Sequence, residues 1–190
     1  MNRPQDDHNL DVSVHTAACL EQLFGFVSEE NFRRVPYADR YRELVEGQGG
    51  RVVNDHVAFR SLNAPMQAQP AGFAAFLNVF EPLGYRQVDQ YSFKQTHLSA
   101  VHLAHPHDLL PKLFVSQLEV AALPSEVADM LRAEVQRTDG DAVNLASAAE
   151  AVQALLRGEL DSHTAAQTIH RALSRPWLPP HRDTVLKVNE

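Results

Sequence analysis

The sequence has a single cysteine, Cys19, in 190 residues, and no long apolar run. One thiol excludes a disulfide framework and every zinc site that needs two or more thiolates, so a metal ion would have to be held by histidines and carboxylates. No stretch approaches the roughly 18 consecutive apolar residues of a membrane span. The first residues lack the basic and apolar regions of a secretory signal, which together with the reduced thiol predicts a cytoplasmic protein.

Basic residues are outnumbered, since 17 lysines and arginines stand against 24 aspartates and glutamates for a formal net charge of -7. This balance argues against nucleic acid as a partner, because nonspecific affinity for a phosphate backbone comes from clustered lysine and arginine. A glycine-rich phosphate loop and a G-x-S-x-G turn are also missing, which leaves nucleotide binding and a serine nucleophile without support. Histidine, by contrast, is plentiful, with ten residues.

The hydrophobic pattern changes twice along the chain and predicts three segments: helices in 1–50, a mixed module in 51–122, and helices again in 123–190. The helices of the two outer segments are predicted at 11–27, 37–46, 124–135, 141–157 and 162–173. The middle segment is predicted to contain strands at 51–62, 86–94, 98–104 and 112–120 and a helix at 71–80. One helix followed by three hairpin-like strands favours an α+β fold built on a β-α-β-β-β module over a doubly wound sheet.

His56 and Arg60 in the first predicted strand are the strongest chemical candidates. Side chains alternate between the two faces of a strand, so His56, Ala58 and Arg60 are expected to share one face, with His56 and Arg60 about 13 Å apart. An imidazole can bind a metal ion and an arginine can bind a carboxylate in bidentate fashion, so this face could hold an acid substrate against a metal. The alternative is a histidine bonded to a neighbour and an arginine at the strand edge, because two residues do not make a metal site.

Two further histidine pairs are close in sequence. His97 and His102 are five residues apart, so on one continuous strand they would face opposite sides and could not chelate the same ion. His105 and His107 flank a proline in a predicted loop, where they are expected to be solvated, although paired loop histidines can also take up transition metals.

The helical segments contain few candidate functional residues. His163 and His170 are seven residues apart on a predicted helix, on the same face but about 10 Å apart in rise, which is too far for one metal ion. Both are expected at the surface. Cys19 lies in an apolar helical stripe, which predicts a buried and unreactive thiol.

Three blocks of the sequence resemble the 2-oxoadipate dioxygenase/decarboxylase family, also called hydroxyglutarate synthase. They are VNDHVAFR at 53–60, FEPLGY at 80–85 and LPKLFVSQL at 110–118, and they occur in the family's order and spacing. The resemblance continues through PWLPP at 176–180 to the end of the chain. The family is similar to the vicinal-oxygen-chelate superfamily, whose β-α-β-β-β modules pair to enclose a metal, in agreement with the order of elements predicted from periodicity.

The resemblance implies an activity and two site residues. His56 matches the family's first iron ligand, and Arg60 matches the arginine that binds a substrate carboxylate. The implied reaction uses Fe(2+) and O2 to convert 2-oxoadipate, a 2-oxo dicarboxylic acid, to 2-hydroxyglutarate in lysine catabolism. The family's iron site consists of two histidines and one carboxylate, an arrangement that leaves open positions on the metal.

The sequence differs from the family pattern at two points. The family's second histidine and its glutamate lie in a second module, so we expect this chain to be the N-terminal part of a longer enzyme with an incomplete metal site. Gln117 occupies a position where an acidic residue is expected. One alternative is a non-catalytic single-module binding protein, whose uncovered sheet face would favour a homodimer. A glyoxalase-like isomerase or lyase is a further alternative, which the match at Arg60 to a dicarboxylic acid disfavours.

Overall fold

The computed structural model describes residues 5–64, 70–174 and 181–188, so the predicted similarity at 176–180 lies outside the described residues. The helices are α1 (Gln5–Arg34), α2 (Pro36–Gly47), α3 (Phe73–Phe80), α4 (Ser125–Arg137), α5 (Gly140–Asn144), α6 (Ala146–Leu156), α7 (Ser162–Leu173) and α8 (Arg182–Val188). The strands are β1 (His56–Leu62), β2 (Arg86–Phe93), β3 (Leu98–Ala104) and β4 (Lys112–Leu118), with turns of 3-10 helix at Lys94–Thr96 and Val120–Ala122. This is the predicted α+β arrangement, with β-α-β-β-β between two helical segments.

The four strands form one sheet in the order β1-β4-β3-β2. β1 and β4 are parallel, with His56 opposite Lys112 and Leu62 opposite Leu118. The other two pairings are antiparallel. Parallel neighbouring strands require a long crossover connection. Here α3, β2 and β3 form the connection between β1 and β4. The result is a sheet whose first and last strands in sequence lie side by side.

One face of the sheet packs against helices and forms the main core. Alternate residues of the strands point to this face, among them Phe59 of β1 and Val115 of β4. Phe80 of α3 packs between Phe59 and Tyr85, with ring centroids 6.1 and 5.7 Å apart. The Tyr85 hydroxyl donates to the Pro111 carbonyl at 2.7 Å, which satisfies the polar end of this buried ring. Helices α1, α6 and α7 extend the same core away from the sheet.

The elements differ from the predicted ones mainly at their ends. α1 begins at Gln5 rather than at residue 11. β1 begins at His56 rather than at residue 51. Along the described chain, none of the helices combines the length and the apolar character needed to cross a membrane.

The helix predicted at 141–157 is two helices, α5 and α6, separated at Leu145. Leu145 has a φ of 54°, in the left-handed region, so the helix cannot continue through it. The break is stabilised by side chains that bond the start of α6. Asn144 Oδ1 accepts from the Ala146 N–H at 3.0 Å, and Asp141 Oδ1 accepts from the Ser147 N–H at 2.7 Å. Periodicity missed this break because the apolar spacing continues across it.

Candidate active site

The second face of the sheet carries His56 and Arg60. Paired residues of parallel strands point to the same side, so His56 lies beside Lys112, and Arg60 lies beside Ser116 two rows further along. His56, Ala58 and Arg60 are all exposed, whereas the residues between them are partly buried against the core. The structure therefore places the two predicted residues on one open face, as strand alternation requires.

A cavity of about 230 Å³ opens on this face next to His56. It is lined by His56, Tyr91, His102, Lys112, Leu113 and Phe114. The ring of Phe114 forms its apolar floor and packs against Tyr91, with centroids 5.8 Å apart. The Tyr91 hydroxyl bonds to Asp89, and desolvation together with that carboxylate raises the pKa of Tyr91. The cavity thus combines an aromatic floor with a cationic group and two imidazoles.

His56 has a carboxylate on one side of its ring. Its Nδ1 lies 3.5 Å from Asp55 Oδ2, and the Lys112 Nζ lies 3.8 Å from Asp55 Oδ1. The Asp55 carbonyl also accepts from the Lys112 N–H at 3.0 Å. This backbone hydrogen bond holds Asp55 beside the first residues of β1 and β4. A carboxylate near one ring nitrogen favours the tautomer that leaves the other nitrogen for a ligand, a common arrangement around metal-binding histidines.

The Arg60 side chain is exposed, and its guanidinium makes no hydrogen bond or ion pair within the part of the chain that the structure describes. Its neighbour towards His56 on the same face is Ala58, whose small side chain leaves space over Phe114. An exposed guanidinium without a protein partner can bind a carboxylate without breaking an existing contact. Arg60 is therefore suited to a ligand that extends along β1 from His56.

Among the side chains that the structure describes, no three histidine, cysteine, aspartate or glutamate groups are close enough to hold a metal ion together. These side chains therefore do not form an iron site of two histidines and one carboxylate among themselves. The donor set present does not fit a complete iron centre.

His102 belongs to this face and was not a candidate in the sequence. It is paired with Phe114 in the sheet and lines the same cavity as His56. His97, by contrast, precedes β3 in a left-handed conformation with a φ of 52° and is exposed, so strand alternation does not relate it to His102. The proximity of His102 to His56 depends on the strand order, which no local pattern indicates.

His105 and His107 do not form a metal pair. His105 Nδ1 accepts from the His107 N–H at 3.0 Å, and the other side of the ring bonds to the Leu83 carbonyl. The ring also packs against Tyr85 with a centroid distance of 5.2 Å, and burial lowers the pKa of His105. Both ring nitrogens are engaged, so His105 has a structural role.

His163 and His170 fasten α7 to α1. Both rings contact Phe26 of α1, with centroids 5.8 and 5.6 Å from the Phe26 ring. His163 is exposed as predicted, but His170 is half-buried and its Nε2 lies 2.8 Å from Glu30 Oε2. Cys19 is fully buried, and burial raises its pKa to about 12, in agreement with an unreactive thiol.

Gln117 points into the core side of the sheet, away from the cavity, and bonds three neighbours. Its Oε1 accepts from the Phe73 N–H at the start of α3 at 2.8 Å. Its Nε2 donates to Glu119 Oε1 at 2.8 Å and to Ser99 Oγ at 3.2 Å. An amide satisfies this position because it offers an acceptor to the helix and donors to Glu119.

The sheet and its helix form a vicinal-oxygen-chelate-like β-α-β-β-β module with one open face. The fold is similar to that of a protein from Ralstonia eutropha JMP134 described as a member of the glyoxalase superfamily, with a TM-score of 0.76 and 22% identity over 90% of this chain and 55% of that one. It is also similar to hydroxyglutarate synthase from Oryza sativa, solved with 2-oxoadipate, with a TM-score of 0.51 and 20% identity over 83% of this chain and 48% of that one.

The sequence defines the family more closely than the fold does. Residues 16–184 match the model of the 2-oxoadipate dioxygenase/decarboxylase family, and the chain belongs to this family. The chain spans about half the length of the two solved relatives. A search of curated proteins found no match.

Proposed function

We propose that this chain forms the first half of the site of an iron(II)-dependent dioxygenase that converts 2-oxoadipate to 2-hydroxyglutarate in cytoplasmic lysine catabolism. The supporting observation is the open sheet face on which His56 and the unpaired Arg60 flank the small Ala58. Family membership and the bound 2-oxoadipate of the rice relative support the choice of substrate.

The proposed reaction balances without an added reductant. 2-Oxoadipate and O2 together contain the atoms of 2-hydroxyglutarate and CO2. The C1–C2 bond breaks and C1 leaves as CO2, one oxygen atom completes a carboxylate at C2, and the other is inserted into a C3–H bond to give the hydroxyl group of the product. Iron, when bound, would activate O2 for this chemistry. His56 would be one ligand, Asp55 would keep its ring in place, and Arg60 would bind a carboxylate and orient the acid.

The remaining ligands are proposed to come from outside residues 1–190. This is supported by the lack of a three-ligand group among the described residues and by the greater length of the relatives. The segments 1–50, 51–122 and 123–190 would then be a helical preface, a metal-binding module and a connection to the second module.

The test is an anaerobic titration with Fe(II) in the presence of 2-oxoadipate, followed by O2 uptake and detection of 2-hydroxyglutarate by mass spectrometry. The 190-residue chain is expected to bind 2-oxoadipate more tightly with iron than without, and His56→Ala should remove that gain. His107→Ala, which changes an exposed loop histidine, is the matched control. A protein extended past Glu190 by its own reading frame should turn over. Unchanged iron binding in His56→Ala, together with no turnover of the extended protein, would refute the proposal.

A non-catalytic binding protein with the same fold is the second candidate. The observation in its favour is the lack of a three-ligand group in the described part of the chain. It predicts no iron-dependent binding of 2-oxoadipate and a dimer in sedimentation, with the open face covered by a second copy. The enzyme proposal predicts iron-dependent binding whatever the sedimentation result.

A further inference from the structure

Lys112 occupies one end of the open face and has a weak partner. Its ammonium lies 3.8 Å from Asp55 Oδ1, and the Lys112 and Asp55 side chains are 55% and 80% exposed. Exposed ion pairs of this kind contribute about 0–1 kcal/mol, because water screens them. A ligand carboxylate at the cavity could therefore replace Asp55 at the Lys112 ammonium at little cost.

The other end of the same face carries Arg60. The row with His56 and Lys112 and the row with Arg60 and Ser116 are separated by one row, which consists of Ala58 and Phe114. The face thus has a cation at each end and an apolar strip between them. A dicarboxylate with a short methylene chain matches this pattern, since its charges would meet the cations and its methylenes would cover Phe114.

The acidic groups around the cavity leave this pattern intact. Asp89, next to His102 in the sheet, bonds to the Tyr91 hydroxyl, and Asp55 is shared between His56 and Lys112.

We propose that Lys112 is a second carboxylate-binding residue, which holds the carboxylate next to His56 while Arg60 holds the distal one. This assignment rests on the proposed function and deepens it, because it defines how the two ends of the acid are distinguished. The end beside His56 carries the 2-oxo group, so Lys112 acts on every 2-oxo acid, whereas Arg60 acts on dicarboxylic acids alone.

Two ligands separate the two cations. 2-Oxoadipate has both carboxylates, and 2-oxohexanoate lacks the distal one. Binding of each to the 190-residue chain is followed by NMR chemical-shift titration. Wild type should bind 2-oxoadipate about tenfold more tightly than 2-oxohexanoate, the size of one charge-assisted hydrogen bond. Arg60→Met should remove that preference.

Lys112→Met should weaken both ligands about tenfold and keep the preference, because it removes a contact that the two share. Lys112→Arg keeps the charge and should restore most of the affinity. Lys94→Met is the matched control, since Lys94 is exposed at the opposite end of the sheet and should leave both affinities unchanged. Unfolding midpoints of all variants, measured by circular dichroism, show that each is folded.

The outcomes distinguish the two proposals. If Lys112→Met binds both ligands as wild type does, while Arg60→Met loses the preference, the role of Lys112 is refuted and the proposed function stands. If wild type binds neither ligand, or shows no preference for 2-oxoadipate, the assignment of the two carboxylates to Lys112 and Arg60 is refuted, and the iron titration of wild type and His56→Ala decides the proposed function separately. Parallel weakening of both ligands in Lys112→Met, with rescue by Lys112→Arg, supports the assignment.

Discussion

Gln117 donates its side-chain amide to the Glu119 carboxylate at 2.8 Å. The same carboxylate accepts from Asn63 Nδ2 at 2.6 Å and from the Ser99 hydroxyl, and these bonds outweigh desolvation and lower the pKa of Glu119. Glu119 is therefore charged and fully bonded, and its neighbour has to be a donor. This explains why glutamine fits a position where the family resemblance suggests an acid.

Gln117→Glu should destabilise the protein by about 1–3 kcal/mol at pH 7, because a buried donor is lost and a second carboxylate is placed beside Glu119. Urea unfolding measures the free energy. Gln87→Glu, at an exposed position of β2, is the control and should change stability by less than about 0.5 kcal/mol. Equal stability of Gln117→Glu and wild type would contradict the account.

The Glu30 carboxylate should contribute to stability in a pH-dependent way. Its pKa is lowered from 4.5, chiefly by the hydrogen bond from Ser174 at 2.5 Å and also by Arg34 and His170. A lowered folded pKa means that this contribution is complete above about pH 4.5 and is lost as pH falls below it.

Glu30→Gln is accordingly expected to reduce stability by about 1–2 kcal/mol at pH 7 and to flatten the acid limb of the stability curve. Thermal unfolding between pH 3 and pH 7, about the range in which carboxyls titrate, measures both effects. Glu43→Gln, at an exposed helix position, is the control and should leave the curve unchanged. A Glu30→Gln curve parallel to that of wild type would show that the contribution of Glu30 is independent of its charge.

His105 should also contribute to stability in a pH-dependent way, but in a range nearer neutral pH. Burial lowers its folded pKa from 6.5, so the neutral form is favoured on folding. Its contribution is complete above about pH 6.5 and declines as pH falls towards the lower folded value. His105→Ala should cost about 1–3 kcal/mol at pH 8, and the difference from wild type should shrink below pH 6. A constant difference over this range, measured by urea unfolding, would be inconsistent with the lowered pKa.

Ala58 should control access along the open face, if the proposed function holds. Ala58→Leu places a branched side chain between His56 and Arg60, and is expected to weaken 2-oxoadipate binding at least about tenfold. Stability should change little, because Ala58 is exposed. Ala58→Ser keeps the side chain small and should bind as wild type does in the same NMR titration. Unaltered binding by Ala58→Leu would place the ligand elsewhere.

Much of the fold could be predicted from periodicity. The sequence predicts β3 at 98–104, and it is observed at Leu98–Ala104, because the polar and proline-containing links that bound this segment are local information. The shared face of His56 and Arg60 follows from the alternation of side chains along a strand, which is also local. The break at Leu145 was not predictable in this way, since it depends on side-chain bonds from Asp141 and Asn144 rather than on hydrophobic spacing.

The sequence by itself determined the α+β class, the family and the face on which His56 and Arg60 lie, because each is encoded in residues near one another in the chain. Tertiary structure alone decided what stands beside them. The parallel pairing of β1 with β4 brings Lys112 next to His56 across 56 positions, and the position of β3 beside β4 adds His102 to the same cavity. Strand order is set by the packing of the whole module, so no local pattern could indicate these neighbours.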